Sequence, residues 1–234
     1  MDYHARMTLM SRMFSNSRGP FSGGRVTPFD NPRERFLAGK LGMVFFLVAL
    51  GALFGATLTG FFVIRFERAA EWPTDLPSLP WLLWVSTAVL IGSSVTMQRA
   101  FEENRAERGE SARQLLAITF GLGMVFLVLQ FACWLIWREP VLERWDGSET
   151  QRFALMGFYV LTSLHAAHVI GGIIPLGLMT LKRFRNPRTM DSPRDANLGS
   201  SGGTGGKGFW YAAVYWHFLG CVWIVLFLVM LTGM

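Results

Sequence analysis

Apolar residues fall in five long blocks, and polar residues collect between them. Each block runs to about 20 residues or more, long enough to cross a hydrocarbon layer of roughly 30 Å. The pattern predicts an all-α integral membrane bundle of five transmembrane helices, with spans near 39–66, 81–99, 115–137, 152–181 and 209–232. Residues 1–38 are rich in Arg, Ser, Gly and Pro and are expected to form a disordered cytoplasmic tail. The stretch 184–208 reads as a flexible cytoplasmic linker. Three prolines, Pro73, Pro77 and Pro80, exclude a continuous helix between the first two spans.

Basic residues fix the expected orientation. Seventeen Lys and Arg fall on the side of the N-terminus and five on the other. By the positive-inside rule the N-terminus is cytoplasmic and, after five crossings, the C-terminus periplasmic. Net charge is +6, but it sits in the loops between apolar blocks, which argues for topology rather than nucleic acid. Only 16% of residues are charged, against roughly 25% in soluble domains.

Small residues suggest where helices meet. Gly51 and Gly55 form a GxxxG pair in the first span. In the fourth, Ser163, Ala167 and Gly171 make one row, and Leu164, His168 and Gly172 the next. Such rows let backbones approach closely in lipid. Cys133 and Cys221 lie inside apolar blocks at no metal or redox spacing and are expected to behave as small buried hydrophobes. Trp81, Trp84, Trp134 and Trp137 stand near span ends, and the cluster around Trp210, Trp216 and Trp223 follows the start of the last span; both read first as interfacial anchors.

The polar residues inside the spans bound the chemistry. No Asp or Glu lies within any span, and no Lys or Arg at mid-depth. Proton and ion carriers place ionisable groups there. Three histidines remain: His165 and His168, one turn apart on the fourth span, and His217 on the fifth. His217 is the expected neighbour of the pair, and the three could make a cluster. It could ligate a metal or a b-type haem, or accompany a quinone. The plainer alternative is a set of neutral imidazoles bonded to Thr162, Ser163, Tyr215, backbone carbonyls or a lipid headgroup.

Two strings go beyond these generalities. Gly157-Phe158-Tyr159, followed at fixed spacing by Thr162, His165, His168-Val169 and Gly172, resembles the penultimate helix of subunit III of haem–copper terminal oxidases, the cytochrome c oxidase subunit III family. Tyr215-Trp216-His217-Phe218 with Trp223 is similar to that subunit's last helix. Leu41-Gly42-Met43, Ser93-Ser94, Leu122-Gly123, Phe126 and Gln130 agree in order.

The resemblance is to the short, five-helix form. It implies a subunit without haem, copper or a catalytic centre, those belonging to partners. It further implies packing on subunit I within a complex that also holds subunit II, bound phospholipid, and support of proton uptake and turnover stability. On this reading His165, His168, His217, Tyr159, Thr162 and Trp216 are structural or lipid-contact residues. The family's acidic positions are absent: Leu50, Cys133, Trp210 and Gly220 stand there. That motivates an alternative, a diverged partner of a nitric oxide reductase. A small membrane cytochrome b or quinone-binding anchor is the alternative from another class.

Overall fold

The computed structural model describes residues 32–73, 78–143, 147–185 and 204–233. All the regular structure there is helical: α1 (Pro32–Glu67), a single 3-10 turn (Ala69–Glu71), α2 (Leu82–Arg105), α3 (Gly109–Glu143), α4 (Glu149–Arg185) and α5 (Thr204–Gly233). Most of the expected tail and linker lies outside the described residues. Residues Lys40–Met234 make one compact unit and Met1–Gly39 another; only the first turns of α1 are described in the latter.

Four helices, α1, α3, α4 and α5, are long and apolar enough to cross a membrane. The second is shorter and carries Ser86, Thr87, Ser93, Ser94 and Thr96 among its aliphatic residues. Those hydroxyls lower its apolar character and turn out to be its means of packing.

α2, α3, α4 and α5 close a ring, each touching the next and α5 returning to α2. Neighbours in the ring run antiparallel, whereas α1 runs parallel to α5 and α2 to α4. Lys40 lies over Trp210 where α1 and α5 begin. Arg65 at the end of α1 donates to the Thr232 carbonyl at the end of α5, at 3.2 Å. Asn104 and Arg183 join the C-terminal ends of α2 and α4 at 2.8 Å.

The core of the ring is aromatic and aliphatic, with Phe126, Trp137, Phe158, Trp216 and Trp223 almost wholly enclosed. α1 lies outside it. Its Leu50, Phe54 and Phe61 are buried, but Leu41, Phe45, Val48 and Phe66 are among many exposed apolar side chains on the same helix. A helix apolar on every side is at home in lipid.

The α2–α3 connection is a Schellman turn. The Arg108 N–H reaches the Glu103 carbonyl at 3.0 Å and the Glu107 N–H the Asn104 carbonyl at 3.4 Å. Glu107 occupies the left-handed position, φ 60°, where glycine is usual. Gly109, two residues on, opens α3. The Glu103 carboxylate accepts from the Arg108 guanidinium and so clamps the same turn.

Candidate functional site

The polar groups inside the ring follow one local scheme. A Ser or Thr hydroxyl donates to a carbonyl one turn back on its own helix, then accepts an indole N–H from a neighbouring helix. Ser93 donates to Leu90 O (2.7 Å) and accepts from Trp216 Nε1 (3.0 Å), joining α2 to α5. Thr87 donates to Leu83 O (2.7 Å) and accepts from Trp223 Nε1 (3.0 Å), joining the same pair. Thr162 donates to Phe158 O (2.7 Å) and accepts from Trp134 Nε1 (3.1 Å), joining α3 to α4. Thr96 and Thr119 pair across α2 and α3 at 2.8 Å. With no water in the hydrocarbon layer, such internal pairing is what makes a buried hydroxyl or indole tolerable. Trp216 and Trp223 are thus internal connectors, not interfacial anchors, because their N–H groups find partners inside the ring.

The three histidines do not converge, which corrects the expectation of His217 as neighbour to the pair. Helix rotation, invisible in the sequence, sends them to three places. His165 is fully enclosed and packs among Phe54 of α1 (6.3 Å between ring centres), Phe126 of α3 (5.8 Å) and Trp223 of α5 (4.9 Å). His168 turns its Nδ1 to the Leu164 carbonyl of its own helix at 2.7 Å and faces Phe54. His217 meets Gln98 Oε1 of α2 at 3.2 Å, and Gln98 Nε2 donates to Glu102 at 2.8 Å. A haem bridged between α4 and α5 would need rings facing each other, whereas His217 is committed to α2. Among the described residues no three of His, Cys, Asp and Glu are grouped to hold a metal ion.

The remaining expected site residues divide. Tyr159 is half-buried, its hydroxyl 3.5 Å from the Trp134 carbonyl. Thr162 and Trp216 are enclosed by protein, as is His165. Tyr215, proposed as a partner for an imidazole, donates to the His168 carbonyl at 2.9 Å instead.

Of the small residues, Gly172 is a true close-approach site: a Cβ there would stand 2.7 Å from Tyr215 Cε1. Gly51 meets Phe218 only at ordinary contact distance, and a Cβ on Gly55 would have nothing within 4 Å. Ser163, Ala167 and Gly171 face outward and are not a packing seam within this chain. The closest approach missed in the sequence is Gly157, where a Cβ would lie 2.5 Å from Phe61 Cδ2 of α1. Its place beside Phe158 and Tyr159 gave no sign of that.

Cys133 is buried as expected, but Cys221 is exposed. It lines a groove of about 480 Å³ between α2 and α5. Leu90, Ile91, Val95 and Ile224 form its apolar walls, and Gln98, Arg99, Glu102 and His217 gather at one end. Where the family's acids are absent, Leu50 and Cys133 are buried, and a Cβ on Gly220 would press on Ser94 at 3.2 Å.

Known proteins decide the kinship. The chain is 34% identical over 188 residues to a cytochrome c oxidase subunit 3 from a Synechocystis species, covering 80% of this chain and 72% of that one. The chain belongs to the cytochrome c oxidase subunit 3 family. The proteins of that name from Thermostichus vulcanus and Bacillus subtilis are 26% and 29% identical, across 88% and 87% of this chain and 92% of each relative. No family model matches the sequence. Membership makes this subunit 3 homologue a multi-pass membrane subunit of a haem–copper oxidase, associated with other subunits of that complex.

Proposed function

We propose that the chain is the non-catalytic subunit III of a respiratory oxidase that reduces oxygen to water. It crosses a bacterial cytoplasmic membrane five times, α2 included, with its N-terminus in the cytoplasm. It packs on subunit I, in a complex that also holds subunit II, and sustains turnover. Haem and copper reside in those partners. The observation that carries this reading is the separate commitment of the three intramembrane histidines. One is packed among aromatic rings, one bonds its own backbone, and one bonds Gln98. Side chains so placed support a packing role for them.

Phospholipid is the small-molecule partner this reading includes. The α2–α5 groove has the shape of the need: apolar along its length, with Arg99, Gln98 and His217 at one end. Half-buried His168 and Tyr159 are further candidates for acyl-chain contact.

The test is purification of the chain with its natural partners, followed by a subunit inventory, a lipid extract and a haem spectrum. Co-purification with an oxidase core, and no haem signal from the separated chain, is expected. A haem spectrum in the isolated chain, or a nitric oxide reductase core alongside it, would overturn the proposal.

A further inference from the structure

Two polar side chains in the ring stand apart from the scheme that satisfies the others. Gln130 of α3 and His165 of α4 are both enclosed. Neither amide atom of Gln130 and neither ring nitrogen of His165 has a hydrogen-bond partner among the described residues.

The register of α3 against α4 places the two at one level. Gly123 lies beside Ile173, Trp134 bonds Thr162, and Trp137 packs on Phe158 with ring centres 4.3 Å apart. Gln130 is one turn from Phe126, which packs on His165, and one turn from Trp134, which bonds Thr162. The polar groups nearby are already engaged. Thr162 holds Trp134, Trp223 holds Thr87, and His168 holds its own backbone.

We infer that Gln130 and His165 form an internal water-binding site inside the four-helix ring. An uncharged imidazole offers one donor and one acceptor, and a carboxamide offers two donors and an acceptor oxygen. A water that accepts from the ring N–H and donates to Gln130 Oε1 bridges α3 to α4. The second ring nitrogen and Gln130 Nε2 remain to hold a further water. Buried waters of this kind bond two to four polar groups and are part of the fold. Lipid headgroups and partner subunits cannot serve, because both side chains are sealed within this chain.

The test uses the assembled oxidase. A density map fine enough to resolve waters should show one within about 2.7–3.2 Å of a His165 ring nitrogen and of the Gln130 amide. A direct ring–amide hydrogen bond, or no water between them, overturns the inference. Infrared difference spectra provide a second readout. An O–H stretch that shifts on exchange into H₂¹⁸O should be present in the unsubstituted complex and lost in Gln130→Leu. Persistence of that band in Gln130→Leu overturns the inference equally. Should Gln130→Leu not assemble, the density map decides alone.

Discussion

Trp216 of α5 hands its indole proton to Ser93 of α2 across 3.0 Å, deep inside the ring of helices. The hydroxyl that receives it is already bonded to its own backbone, so both polar groups are satisfied without water. Removing the hydroxyl leaves the indole N–H buried without this acceptor, whereas removing the indole leaves Ser93 with only its own backbone bond. Interhelical side-chain hydrogen bonds in membranes contribute about 0.6 kcal/mol on average and up to about 1.7 kcal/mol. Ser93→Ala and Trp216→Phe are therefore expected to show a coupling energy in that range in a double-mutant cycle, followed by thermal inactivation of the assembled complex. Strictly additive losses would mean that the bond contributes nothing.

Gly172 and Gly55 offer a matched contrast. Both belong to small-residue rows, yet only Gly172 has a ring against it. Tyr215 cannot swing away freely, since its hydroxyl is bonded to the His168 carbonyl. Gly172→Leu should cost about 1–3 kcal/mol or more through overpacking, while Gly55→Leu should change stability little. Equal effects in a denaturant or heat series would refute the assigned orientation of α4.

The left-handed residue of the α2–α3 turn is a glutamate. An L-residue in that conformation is disfavoured by roughly 1–2 kcal/mol. Glycine avoids the steric cost but loses more backbone freedom on folding. Glu107→Gly is expected to stabilise the subunit by a net of about 1 kcal/mol or less. A lowered midpoint would show that the Glu107 side chain contributes something its exposure does not suggest.

The same turn has an acid-sensitive element. The hydrogen bond from Arg108 holds the Glu103 carboxyl below its ordinary value of 4.5. A carboxylate whose pKa is lower in the folded state stabilises above the unfolded value, and that contribution disappears as pH falls through the folded one. The turn should thus loosen only below pH about 4.5. Hydrogen exchange at the Arg108 amide, compared between the parent and Glu103→Gln, reads this directly. The difference should vanish in acid and shrink in high salt, because the pair is exposed to solvent.

The helical plan was legible because a membrane span is specified by length and lack of charge, both plain in one sequence, and four of the five helices meet that measure. Which face of each helix turns inward was not. In lipid an apolar residue is welcome on either side, so hydrophobic periodicity no longer marks the core. That is why Ser163, Ala167 and Gly171 looked like a seam and why His217 was expected beside His165. The better signal was the Ser and Thr content of α2. Hydroxyls in an apolar helix need partners, and tryptophans on other helices can supply them. Gln130 carries the same message: a carboxamide in an apolar helix is buried and needs a partner.

The position of α1 outside the ring bears on how the molecule is made. α1 emerges from the ribosome before the residues that will hold it, Gly157 and His165 against Phe61 and Phe54. A helix apolar on every side can wait in the bilayer without them. The ring of α2 to α5 can close first, and α1 then docks as a finished piece. Premature cleavage between Glu67 and Leu82 should accordingly yield two fragments that still find each other in the membrane, with reassociation driven by Phe54 and Phe61.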